Sequence, residues 1–159
     1  AKPYVTVLTP ACVIRQGESL ASERVIRNVC PALISGVHAM WERGYGAGSN
    51  LGMENPDLAG EYDQYLREYG SSRNSATQDD RRYMDVHEDH YVYLKEGEEQ
   101  FVSSEMLATA LIGTGKEIDQ RLDEMEAMGV DNVALAAVDR QAALELIADF
   151  SEQVIQRRK

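Results

Sequence analysis

The chain is poor in the residues that mark several protein classes. Among its 159 residues are two cysteines, four prolines, one tryptophan and two phenylalanines. Cys12 and Cys30 make neither a metal framework nor a disulfide scaffold. Each lies in an apolar run, where a reduced, buried thiol is the ordinary role. No apolar run approaches the ~18 residues that cross a bilayer, so no membrane partner is expected. Basic residues number 16 against 27 acidic ones, for a formal charge of −11. They are scattered, which excludes nucleic acid as the expected partner, because phosphate binding needs clustered Lys and Arg. The one dense basic run, Arg157-Arg158-Lys159, is expected to complement the negative end of the last helix. The stretch AKPYVTVLTP has no charged-then-apolar leader pattern, and a cytoplasmic protein is expected.

What remains is globular, with 43% apolar and 27% charged residues. The length suits one domain with a real core. Tyr4 to Ile14, rich in β-branched and apolar residues, predicts a buried strand. From Ser22 an apolar stripe at helical spacing runs to Trp41, and Pro31 inside it predicts a kink or a division into two helices. Asn55-Pro56 reads as cap and first residue of a helix that Gly70 stops, with Tyr62, Tyr65, Leu66 and Tyr69 on one packing face. Ser71 to Thr77 reads as a polar loop. A short helix from about Gln78 to Val86, a strand Tyr91–Leu94 and a hairpin partner at Phe101-Val102 are expected next. Ser103 or Ser104 caps a short helix through Leu107.

The end of the chain is the most legible. Thr114 and Glu117 have capping-box spacing, Ile118, Leu122 and Met125 make a buried face, and Gly129 is placed for a left-handed stop. Val133 to Val138 is apolar throughout, which predicts a parallel strand covered on both faces. Asp139 caps a last helix whose stripe includes Leu146, Ile147, Phe150 and Val154.

Two glycine-rich stretches invite a nucleotide reading and fail it. GYGAGSNLG, Gly44 to Gly52, has Ser49 where a third glycine is needed and follows a helix instead of a strand, so a loop is expected. At Gly113-Thr114-Gly115-Lys116, Ala110 stands where a P-loop has glycine and Glu117 where it has Ser or Thr.

Three stretches carry a family resemblance: YVTVLTPACVIRQGESLASERVI (Tyr4 to Ile26), RRYMDVHEDHYVYL (Arg81 to Leu94) and LIGTGKEIDQRLDEMEAMGVDNVALAAV (Leu111 to Val138). In this order they resemble the C-terminal half of the bacterial luciferase-like flavin-dependent oxidoreductases. The resemblance implies an α/β fold, the C-terminal half of a (β/α)₈ TIM-type barrel with outer helices and a helical or hairpin insertion over roughly 44–102. It also implies monooxygenase-type chemistry with FMN or a deazaflavin on a small organic substrate. Family members are roughly twice this length, and their main cofactor contacts come from the first half. The chain is then either a piece of a longer enzyme, the favoured account, or a standalone half-barrel product, and the 159 residues alone are expected to be inactive and to bind little or no cofactor. Three or four strands cannot close a barrel, so a second protein chain, either another copy or the missing N-terminal half, is the expected partner.

Candidate chemistry centres on Asp85, His87, Glu88, Asp89, His90 and Tyr91. His87 and His90 are the candidate catalytic residues, since imidazole titrates near neutrality and suits proton transfer to a carbonyl or a flavin-linked intermediate. The alternative is that they tie a helix end to the following strand. Their spacing of three, without a nearby cysteine, disfavours zinc, and no metal is expected. His38, on an apolar helical face, reads as a packed core residue. Gly113, Thr114 and Gly115 are the candidate cofactor-binding residues, because a helix N-terminus after a late barrel strand can hold a phosphate; capping by Thr114 competes with that role. The rival from another class is a non-catalytic α/β module that dimerises or binds another subunit.

Overall fold

The computed structural model describes residues 2–46, 56–72 and 83–158. The glycine-rich stretch beyond Gly46, the Asn55 cap, the polar stretch from Arg73 and the start of the helix expected at Gln78 lie outside the described residues. The chain divides into two compact units, Ala1–Leu33 with Ser103–Lys159, and Ile34–Val102.

The first unit is α/β, built on a three-stranded parallel sheet: β1 Thr6–Val13, β2 Leu111–Gly113 and β3 Asn132–Ala136, in the order β2-β1-β3. The pairing explains how Pro10 sits in a central strand although it has no N–H to give a ladder. Thr6 to Pro10 pair with β3, and Ala11 to Val13 pair with β2, so the proline falls where β1 changes partner. β3 is held beside the start of β1 by the Asp131 and Asn132 amides, which donate to the Val5 carbonyl at 2.9 and 3.1 Å, and by the Val5 amide, which donates to the Asp131 carboxylate at 2.9 Å.

Alternation along β1 sends its side chains to two different cores. Ala11 and Val13 join Leu111, Ile118, Leu146, Phe150 and Val154, so α6 (Gly115–Ala127) and α7 (Arg140–Gln153) cover one face. Cys12 joins Val25, Val29, Ala110 and Ile112, so α1 (Glu23–Leu33) covers the other, with Leu107 of α5 (Ser104–Thr109) packed against it. This corrects the expectation that all the covering helices share one face. A run of consecutively neighbouring strands, as in a barrel, would also put β2 in the middle, where β1 stands. Both cysteines are buried and free, as expected, and burial raises the thiol pKa of each, Cys30 to about 11.

Local sequence signals hold closely here. Thr114 and Glu117 form the full capping box, Gly129 turns left-handed at φ 92°, Asp139 caps α7 and Ser103 caps α5. Pro31 lies inside α1, which ends at Leu33. Three expectations need correction. β3 is only partly buried, because among the described residues it pairs on one side alone. Ile147 is 67% exposed, since the buried stripe of α7 runs through Ala142, Leu146, Phe150 and Val154, one step around the helix. Arg158 does not rest on its own helix end, but pairs with Asp119 and Asp123 of α6 at 2.6 and 2.7 Å.

The second unit is helical: α2 (Ser35–Trp41), a π-helical turn Glu42–Gly46, α3 (Pro56–Ser72), α4 (Tyr83–His87) and a 3-10 turn Glu98–Phe101. Gly70 does not stop α3, which runs on to Ser72. Trp41, Ala59, Tyr62, Leu66 and Val86 are buried. The Trp41 indole donates to Asp63 at 3.0 Å, and Tyr62 and Tyr65 meet Phe101 edge-on. The expected strand at Tyr91–Leu94 does not form. Asp89 and Tyr91 take positive φ of 57° and 70°, and the Val92 and Tyr93 amides both fold back to the Asp89 carbonyl, which ends any extended run.

Candidate functional site

The second unit brings all three histidines of the chain into one run that starts at a carboxylate no hydrophobic pattern announces. The turn Lys95-Glu96-Gly97-Glu98 places it. Gly97 adopts φ 82°, a conformation costly for any residue with a Cβ, and this turns the Glu98 side chain inward to 0% exposure. The carboxylate then reaches back to accept from the Lys95 amide at 2.9 Å. Its other oxygen, Oε1, accepts from Tyr62 Oη at 2.6 Å and from His38 Nε2 at 2.8 Å, with Lys95 Nζ at 3.4 Å. Lys95 is itself buried and donates to the Val86 carbonyl at 2.9 Å.

Burial pushes the Glu98 carboxyl up. The hydrogen bonds from His38, Tyr62 and the Lys95 amide, with the Lys95 charge, outweigh it and hold the group at about 2. Glu98 is therefore ionised across the physiological range. Tyr62 is pushed the other way, first by burial and then by the Glu98 charge it faces, and stays a phenol.

An ionised carboxylate only accepts, so His38 must present Nε2–H to it. The opposite nitrogen, His38 Nδ1, lies 2.7 Å from His90 Nδ1. Two nitrogens at that distance share one proton, one donating and the other accepting. His90 is partly exposed, and among the described residues nothing bonds its Nε2. Burial depresses the His90 pKa, and His38, His87 and Lys95 depress it further, so the ring is neutral near pH 7. His87 stands beside it with ring centroids 5.0 Å apart, and its Nε2 pairs with Glu42 at 2.6 Å. Glu42 opens the π-helical turn at the end of the helix that carries His38, and π-turns inside helical runs recur at functional sites.

The two catalytic candidates, His87 and His90, are thus neighbours in space. His38 is buried as expected, but is held in a polar chain and not simply packed. Nothing in the sequence pattern marks Glu98 or Lys95 for chemistry, and Tyr62 falls on a face of aromatics that could line a substrate channel but reads by default as packing. The usable signal was a glycine between two charged residues in a polar turn, which here inverts the turn and buries its last acid.

The cofactor candidates lie in the first unit. The Thr114 hydroxyl and amide both donate to Glu117 Oε2, at 2.8 and 2.7 Å, and the Glu117 amide donates back to the hydroxyl at 3.4 Å. The Glu117 carboxylate thus holds the Thr114 amide and hydroxyl, which closes both to an anion at this helix start. A Cβ on Gly115 would lie 2.5 Å from the Gln153 carbonyl, so that glycine serves close packing of α6 on the end of α7. The turn does not fit a flavin phosphate. Beside it, Arg24 donates to Glu18 and to the Val13 carbonyl, and Arg15 pairs with Asp149. These guanidiniums are matched to carboxylates and hold the loop after β1 onto α7. No group of three or more His, Cys, Asp or Glu suited to a metal occurs among the described residues, and no helix is long and apolar enough to cross a membrane.

Comparison with family models, with curated proteins and with solved structures finds no match to this chain.

Proposed function

We propose that the chain is part of a flavin- or deazaflavin-dependent oxidoreductase of the luciferase-like kind, acting on a small organic substrate, with its proton-handling groups in the second unit. The reading rests on the three motif stretches taken in order. The single structural observation that supports it is the hydrogen-bonded chain from buried Glu98 through His38 to His90, with His87 beside His90. When bound, the flavin or deazaflavin supplies the electrons. Its phosphate contacts would lie outside the Gly113–Gly115 turn, and the isolated chain should bind FMN more weakly than about 100 μM, short of the ~8 kcal/mol of a micromolar site. Calorimetric titration reads this directly.

A half-barrel would have to contain the three-stranded parallel sheet of the first unit, whose order β2-β1-β3 weighs against that architecture. A second chain remains the expected partner, because Leu8, Ile147 and Ile155 stay more than half exposed. The decisive experiment is purification of the gene product that carries these residues. A bound or titratable flavin or deazaflavin chromophore is expected. A folded product that takes up neither would leave the rival, a non-catalytic interaction module, as the function.

A further inference from the structure

We propose that Glu98, His38 and His90 form a proton relay with His90 Nε2 as its working atom, an acid–base site for a small neutral substrate that exchanges a proton at a hydroxyl or carbonyl oxygen. The inference stands on the geometry of the second unit and does not depend on a flavin.

Three features carry it. The carboxylate is fully buried and takes donors from His38, Tyr62 and the Lys95 amide, so its position is over-determined. His38, 1% exposed, is pinned at Nε2 and meets His90 at Nδ1, so its two nitrogens join the carboxylate to the second imidazole. The outer nitrogen of His90 has no bonding partner among the described residues, although the inner members of the chain are all satisfied.

The step balances. His90 Nε2 takes a proton from a substrate hydroxyl and leaves the electron pair on that oxygen. The proton on His90 Nδ1 crosses to His38 Nδ1. His38 becomes an imidazolium facing the Glu98 carboxylate, and reversal returns the proton to substrate. In the resting state this requires neutral His90 as the Nδ1–H tautomer and His38 as Nε2–H. His38 and Glu98 do not touch substrate and are positioning residues; His90 is the catalytic one. The charged and titratable groups around His90 are His38, His87 and Lys95, which oppose a positive charge there, and Glu42, which favours it. The formal charge of −11 disfavours an anionic substrate.

The test is long-range proton–nitrogen correlation NMR at alkaline pH on the full chain labelled with ¹⁵N-histidine. His90 is expected as Nδ1–H and His38 as Nε2–H, with His87 as the internal reference. His90 found as Nε2–H, the usual form in a free peptide, would overturn the relay. A second reading uses diethyl pyrocarbonate, followed by mass spectrometry at each histidine. His38→Gln should slow modification of His90 about tenfold, equivalent to ~1.4 kcal/mol, and leave His87 unchanged. Equal rates at His90 in the two proteins would also overturn it. If His38→Gln does not fold, the tautomers of the unaltered chain still decide.

Discussion

The two units place their ionisable groups in opposite ways. In the first, charged side chains lie around the margin of an apolar core: Arg15, Arg24 and Arg27 meet Glu18, Glu145 and Asp149 where each pair keeps some contact with water. In the second, Lys95 and Glu98 are buried together, with His38 against them. Marginal pairs of the first kind are worth little and break cheaply. A buried pair is costly to assemble and worse to leave half-made. The first unit is therefore held by packing and caps, and the second hangs on one carboxylate. Substitutions should separate them.

The largest effect should follow Glu98→Ala. It strands a buried ammonium and leaves Tyr62 Oη, His38 Nε2 and the Lys95 amide without their acceptor, an expected loss of about 3–5 kcal/mol. Trp41, the sole tryptophan, is buried in the same unit, so urea unfolding followed by its fluorescence reports the change. A loss below ~1 kcal/mol would mean the second unit does not depend on the carboxylate.

Gly115→Ala tests packing in the first unit. The added methyl would sit 2.5 Å from the Gln153 carbonyl, so α6 and the end of α7 must separate, at about 1–3 kcal/mol. Unchanged thermal stability would show that the two helices have room. Thr114→Ala should cost about 1 kcal/mol through loss of the cap. If FMN affinity of the complete gene product fell while the unfolding midpoint held, the turn would be a ligand site after all. The smallest effect belongs to Arg158→Ala, whose partly exposed pairs with Asp119 and Asp123 should contribute less than ~1 kcal/mol and fade with salt.

The same contrast explains what the sequence made legible. The capping box, the glycine stop, the Asp139 cap and both cysteine environments follow from neighbours within a few residues, and the structure has them all. Strand order was hidden, because the register of β3 depends on Asp131 meeting Val5 across most of the chain. The site was half visible. His87 and His90 stand out as histidines close in sequence, while Glu98 looks like one acid among three in a polar turn. Its burial is created by Tyr62 and His38, which reach it from two other helices.

The pH dependence of stability, compared between the unaltered chain and Glu98→Gln, tests the central claim most directly. A carboxyl held at about 2 in the folded chain and near its usual 4.3 when unfolded stabilises the fold fully above pH ~4.3. That stability drains away as pH falls towards 2, by an amount on the order of 3 kcal/mol. His90, with its depressed pKa, acts with the same sign, adding stability above about pH 6.5 that is lost on acidification. The unaltered chain should therefore fall steeply in Trp41-monitored stability between pH ~4.5 and 2, and Glu98→Gln should lack that part of the fall. Parallel curves for the two proteins would mean that folding leaves the Glu98 pKa unshifted, and would contradict the account.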